Sequence, residues 1–294
     1  HSKVQQTMEW IAQFPLTQHV FTMARRQVCN ALKSGPVPRH VGFIMDGNRT
    51  YAKQHNMELR DGHNAGFESM ARILEVCYEC GVECATVFAF SIENYKRPSH
   101  EVKWLMDLTK TKFKQIVSRG EICEKYGVRI RILGDLDLVP DDVKEVLRQA
   151  EEITKNNKRA TLNVCFSYTS RADMTQAIRK VVDGCARGTL RVGDINDETI
   201  SSKLWTGHSP PLELLIRTSG VHRMSDFMLW ESTKDESDAN DSGSDDASDF
   251  AESLGSRSKS ICQIRMIDVL WPEFGVMDMI WLLIQWSFTK TYRK

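Results

Sequence analysis

Two periodicities share this chain. Short apolar runs stand at 41–45, 85–90, 128–133, 161–166 and 212–216, and a sixth is expected at 261–269. Apolar residues recur at helical spacing between them, over 64–80, 99–126, 140–156, 171–187 and 195–204. Strands alternating with helices argue an α/β fold: a mainly parallel six-stranded sheet flanked by helices on both faces. In such sheets a ligand sits in the crevice at the carboxyl ends of the strands.

Two segments depart from that pattern. Residues 7–34 read as helical, interrupted at Pro15, with an apolar stripe of Phe21, Ala24, Val28 and Leu32 and a basic side of Arg25, Arg26 and Lys33. An amphipathic helix of this kind packs on its own domain or lies on a membrane surface. Residues 1–34 therefore form an N-terminal helical segment, and 35–294 the main domain. That domain is interrupted at about 235–259, where Asp, Ser and Glu dominate and large apolar residues almost vanish. Such a stretch cannot bury enough surface to offset the entropy of ordering, and it reads as a disordered acidic insertion.

Composition narrows the function. Hydrophobic residues make up 41% of 294 positions, enough for a substantial core. Lys plus Arg and Asp plus Glu each number 39, so no overall field draws the chain to nucleic acid. An anion site must come from local arginines. The eight cysteines are scattered, as reduced, buried thiols are. Cys77, Cys80 and Cys84 invite a zinc reading, but no fourth ligand completes it, and core packing fits better. No apolar run reaches the roughly 20 residues that span a bilayer.

The candidate chemistry lies just after the strands. Asp46-Gly47-Asn48-Arg49 follows the first, and a segment from Ser91 to Pro98 follows the second. Ser167 to Arg171 follows the fourth, and Arg217 to Arg223 the fifth. Gly47 and Asn48 tolerate the backbone angles that turn N–H groups toward an anion, and a helix starting there adds its positive end. Asp46 can carry the charge that Mg²⁺ requires, or serve only as a helix cap. Arg97, Arg217 and Arg223 can each fork onto phosphate oxygens. Neither GxxxxGK[ST] nor GxGxxG is present, so an ordinary nucleotide or phosphatase site lacks its usual signals.

These motifs in this order resemble the cis-prenyltransferase family of undecaprenyl diphosphate synthase type, especially its eukaryotic, fungal-type branch that makes dehydrodolichyl diphosphate. The matching blocks are HVGFIMDGNR, DGHNAGF, TVFAFSIENYKRP, RILGDL, LNVCFSYTSR, LLIRTSGVHRMSDFMLW and LWPEF. The resemblance implies repeated condensation of isopentenyl diphosphate onto farnesyl diphosphate, with each new double bond cis, for dolichol synthesis and protein glycosylation. It makes Asp46 the Mg²⁺ ligand and a catalytic residue with Asn94. Gly47, Asn48, Arg49 and His63 would bind the allylic diphosphate, and Arg97, Arg217, Arg223 and Ser225 that of isopentenyl diphosphate. Phe88, Phe90, Trp104, Leu105 and Leu108 would line an apolar product tunnel or simply form core. The same resemblance implies peripheral contact with the cytosolic face of the endoplasmic reticulum membrane.

Three departures qualify that picture. The family usually places a second arginine after Asp-Gly-Asn-Arg, where this chain has Thr50. The acidic insertion is longer than the family's connection. The Arg-X-Gly motif that ends single-subunit bacterial relatives is absent from the last residues given, Phe288 to Lys294. Either a non-catalytic partner of the Nogo-B receptor type supplies that motif, or the chain is truncated. A dense aromatic set, Trp271, Phe274, Trp281, Trp286 and Phe288, suits a subunit interface or the core. The competing role within the family is that of a non-catalytic scaffold, which Thr50 keeps open and the full arginine set opposes.

Overall fold

The apolar runs become six strands: β1 (His40–Ile44), β2 (Cys84–Ser91), β3 (Val128–Leu133), β4 (Ala160–Tyr168), β5 (Leu214–Arg217) and β6 (Gln263–Met266). The structure is a computed structural model and describes residues 15–119, 121–233 and 262–292. The strands form one sheet in the order β3-β4-β2-β1-β5-β6. Each neighbouring pair is parallel. β1, β2 and β4 are covered on both faces, which is why they read as nearly unbroken apolar runs. The edge strands instead carry arginines, Arg129 and Arg131 on β3 and Arg265 on β6, which discourage further pairing.

The helices are α1 (Pro15–Lys33), α2 (Asn48–Gln54), α3 (Leu59–Glu79), α4 (Ser99–Arg119), α5 (Glu121–Tyr126), α6 (Asp141–Thr154), α7 (Ser170–Ala186), α8 (Asp197–Lys203), α9 (Leu229–Ser232) and α10 (Val276–Tyr292). The stretch expected as one helix over 99–126 is helical over Ser99–Arg119 and over Glu121–Tyr126, and position 120 between them lies outside the described residues. The short helix α2 escapes the sequence pattern because its first turn is polar. Cores lie on both sides of the sheet. One joins α3, α4 and α10 to the strands, and the other gathers Tyr168, Leu212, Leu215, Phe227 and Met228.

Helix α1 packs on α3 and α10 through a different face from the one expected. Ala24 and Val28 are exposed, whereas Cys29 is buried, Leu32 half-buried, and Arg25 points inward. Arg25 Nε lies 3.0 Å from a Glu79 carboxylate oxygen, and the Cys80 thiol donates to Cys29 Sγ at 2.9 Å. An ion pair and a thiol contact decide this helix's rotation, which no count of apolar residues could reveal. Residues 1–14, the side chain of Phe21 and the acidic insertion lie outside the described residues. Cys77, Cys80 and Cys84 are buried thiols.

β1 lies between β2 and β5, so the chain leaves it in opposite directions. That reversal of strand order opens a crevice at the carboxyl end of β1, and Asp46 stands in it. At the other end of β1, His40 organises a buried polar chain. Its Nδ1 donates to Pro210 O at 2.8 Å, since a carbonyl can only accept. Its Nε2 accepts the Thr86 hydroxyl at 2.6 Å, and Thr86 Oγ1 accepts from Asn163 Nδ2 at 3.0 Å.

Burial holds the His40 ring neutral and pushes its pKa down from 6.5 to about 4. Between those values the unfolded chain binds a proton that the folded chain refuses, so stability is lost as pH falls through that window. Urea unfolding is expected to give a lower midpoint at pH 5 than at pH 7, and a smaller drop in His40→Gln. An equal drop in both proteins would remove His40 as the cause.

Candidate active site

Asp46 ends the apolar run of β1 and is gripped from β5 and beyond. Thr218 Oγ donates to Asp46 O at 2.8 Å, and Trp271 N donates to the same oxygen at 2.9 Å. The carboxylate accepts Gly47 N–H on Oδ1 at 2.9 Å and the Arg217 guanidinium on Oδ2 at 2.6 Å. Gly47 has φ +109°, and a Cβ there would stand 2.9 Å from the Leu270 side chain. The turn after β1 therefore needs glycine on two counts.

The DGHNAGF block works largely through its glycines. A Cβ on Gly62 would meet Asn48 O at 2.4 Å, and one on Gly66 would meet Asn48 Oδ1 at 2.1 Å. These two positions let α3 press against the start of α2. Trp271 Nε1 donates to Gly66 O at 2.8 Å, and Ser69 Oγ donates to Phe274 O at 2.8 Å. The LWPEF block thus braces the site from below. Sequence reasoning marked that block but gave it no role here.

Ser91 caps a one-turn 3₁₀ helix, Ile92–Lys96, that carries Asn94. The Ser91 N–H donates to Asn94 Oδ1 at 3.0 Å. That bond requires an oxygen, so Asn94 offers the site its amide N–H groups as donors. Tyr95 Oη and Ser167 Oγ, 2.6 Å apart, tie this turn to the end of β4. Arg97 follows and pairs with Glu101 at 2.9 Å. His63 lies 5.5 Å from the Trp104 ring, centroid to centroid. Burial first, and the Arg97 charge second, push its pKa down to about 4, so its imidazole is neutral near pH 7.

Arg217 is buried at the end of β5. Its Nη1 donates to Arg223 O at 2.5 Å and to Ser225 Oγ at 2.6 Å. Arg223 is exposed, and its Nε lies 3.3 Å from the same hydroxyl. The contact between Arg217 and Asp46 joins this arginine cluster to the rest of the site.

A cavity of about 290 Å³ runs from Asp46 into the fold between the sheet, α3 and α4. Gly47, Asn48, Arg49, Thr50, His63, Asn94 and Arg97 lie on its polar part. Phe88, Phe90, Leu105 and Leu108 line it as expected, whereas Trp104 packs on the core beside His63 and is not among the lining residues. Ile130, Leu162, Val164 and Phe166 also line it and were missed. The last three alternate along β4, so the period-two rule for one sheet face could have found them. Of the aromatic set, Trp271, Phe274 and Trp286 are buried core, and Trp281 and Phe288 are exposed.

Among the described residues no three His, Cys, Asp or Glu side chains gather as a metal cage. Asp46 is the single carboxylate among the described residues that line the cavity, and its side chain stays 39% exposed. That donor set suits a hard dication that keeps its waters and shares phosphate ligands, as Mg²⁺ does, and does not suit zinc.

Residues 44–243 match the family described as "Putative undecaprenyl diphosphate synthase". The chain belongs to the cis-prenyltransferase family. A dehydrodolichyl diphosphate synthase complex subunit of Schizosaccharomyces pombe is 39% identical over 95% of this chain and 96% of its own length. The corresponding human subunit is 44% identical over 77% of this chain, and the match spans 66% of the human protein. The crystal structure of lavandulyl diphosphate synthase from Lavandula x intermedia superposes with a TM-score of 0.71 at 24% identity, covering 85% of this chain and 95% of that one. That likeness shows the fold.

In this cis-prenyltransferase the approach of α3 to α2 is set by Gly66. Gly66→Ala is expected to lower stability by about 1–3 kcal/mol, because the added methyl must displace the Asn48 side chain. Chemical denaturation checks this, and a wild-type midpoint would show that the contact is loose.

Proposed function

We propose that this chain is the catalytic subunit of a dehydrodolichyl diphosphate synthase, extending farnesyl diphosphate with isopentenyl diphosphate. One observation carries the reading. The Asp46–Arg217 contact joins two cationic groups of side chains at the mouth of an apolar cavity. Two diphosphates and one growing prenyl chain need that arrangement.

In this reading Asn48, Arg49 and His63 hold the allylic diphosphate with its chain directed toward Leu162 and Ile130. Arg217, Arg223 and Ser225 hold isopentenyl diphosphate, and Arg97 lies on the allylic side of the mouth. Mg²⁺ on Asp46 would neutralise charge on the departing diphosphate. The allylic C–O bond breaks as the isopentenyl double bond attacks the allylic carbon. A proton then leaves C2 of the isopentenyl unit for a substrate phosphate oxygen, which the Asn94 amide steadies. Fixed donors aimed at the developing charge supply much of the acceleration.

The relatives' names describe complex subunits, which supports a partner subunit, and the one proposed for this chain is non-catalytic and of the Nogo-B receptor type. A lipid product supports peripheral residence at the cytosolic face of the endoplasmic reticulum membrane. No helix among the described residues is long and apolar enough to cross a membrane. Thr50, on the cavity where the family pattern has arginine, is the observation that favours a scaffold role instead.

The test is an extension assay with farnesyl diphosphate, labelled isopentenyl diphosphate and Mg²⁺, with and without such a partner. Long polyprenyl product is expected from the pair. Asp46→Ala should lower the rate by roughly 10²-fold or more. Thr50→Arg should lower the KM for farnesyl diphosphate. Full turnover in the Asp46→Ala complex would assign catalysis to the partner and this chain to the scaffold role.

A further inference from the structure

The loop at residues 219–228 carries Arg223 and Ser225 in a backbone that resists its own shape. Ser219, Ser225, Asp226 and Met228 all have positive φ, at 78°, 51°, 59° and 46°. For residues with a Cβ this region is unfavourable, and it persists only where surrounding bonds overdetermine it. Asp226 supplies such bonds. Its main-chain oxygen accepts Ser170 N–H at 2.7 Å. Its Oδ1 accepts Arg171 N–H at 3.1 Å, and its Oδ2 accepts Arg171 Nε at 2.7 Å. Three acceptors of one residue thus grip the first two residues of α7. Leu229 N returns the grip by donating to Ser170 Oγ at 2.7 Å.

We infer that Asp226 is a positioning residue for the diphosphate-binding arginine cluster. It holds the left-handed turn that presents Ser225 Oγ to Arg217 and Arg223. The inference rests on the proposed role of that cluster in binding isopentenyl diphosphate. Asp226 itself bonds neither arginine of the cluster. Its side chain is only 13% exposed, and its partners lie on α7. Arg171 also stands 4.0 Å from Glu93 in the turn that carries Asn94, so the anchor lies between both loops of the site.

The two groups on Arg171 are not equivalent. Its side chain is 72% exposed, so the ion pair faces solvent and is weak. The main-chain N–H bonds come from the start of a 17-residue helix, where such groups have no partner within the helix. The anchor therefore depends on Asp226 as an acceptor more than on the Arg171 charge. Asparagine keeps an Oδ1 acceptor and tolerates positive φ, whereas alanine keeps neither.

The experiment compares Asp226→Ala, Asp226→Asn and Arg171→Ala in the full complex, reading both KM values, kcat and the melting temperature. Asp226→Ala is expected to raise the KM for isopentenyl diphosphate about 10-fold to 10²-fold, as a displacement of about 1 Å does, and to leave that for farnesyl diphosphate nearly unchanged. Asp226→Asn should recover most of the loss, and Arg171→Ala should cost less than Asp226→Ala. Equal KM changes for both substrates, an unchanged isopentenyl diphosphate KM, or no rescue by asparagine would overturn the inference. Titration of inorganic diphosphate separates this outcome from failure of the functional reading. A wild-type complex without turnover would sink that reading, while diphosphate affinity that weakens in Asp226→Ala and recovers in Asp226→Asn would still support the anchor. Unchanged affinity in Asp226→Ala would refute it.

Discussion

The ion pair between Asp46 and Arg217 is the constraint on which the site depends. The two residues are far apart in the chain and meet because β1 and β5 are parallel neighbours whose carboxyl ends coincide. A buried guanidinium is costly unless its donors are satisfied. Arg217 meets that demand at both terminal nitrogens, with Asp46, Ser225 and the Arg223 carbonyl, and leaves only Nε without a hydrogen-bond partner, so one buried cation fixes the relative position of three functional segments. The carboxylate stays partly open to solvent, and it remains usable by a metal bound along with diphosphate.

Around that pair, small residues and one tryptophan set the distances. Gly47, Gly62 and Gly66 each stand where a methyl group would collide with a neighbour, and Trp271 links the Asp46 carbonyl to α3 by two hydrogen bonds. Close packing transmits a change at any of these contacts to the others. The apolar cavity starts where the polar groups stop. An ionising headgroup and a growing hydrocarbon chain are thereby kept in different surroundings within one fold.

Much of this was legible in the sequence. The strands could be read because each is a compact apolar run, and the site because polar, small and arginine-rich residues follow those runs. Parallel topology then brought Asp46 and Arg217 together without further information. The unread parts share a cause, which is that they depend on contacts rather than on periodicity. The inward face of α1 is set by Arg25 and Cys29, not by its apolar stripe. Trp104 lies at helical spacing for the cavity yet turns toward the core beside His63. The sequence marks Asn94 as a candidate catalytic residue, and its use as a cap, which turns its oxygen toward the Ser91 N–H, appears only once that N–H is placed.

The most direct test is a crystal structure of the complex with Mg²⁺, isopentenyl diphosphate and a non-cleavable thio-analogue of farnesyl diphosphate. The account predicts Mg²⁺ on Asp46, one diphosphate against Arg217, Arg223 and Ser225, the other against Asn48, Arg49 and His63, and the farnesyl chain directed toward Leu162 and Ile130. A prenyl chain outside this cavity, or a metal bound away from Asp46, would contradict it.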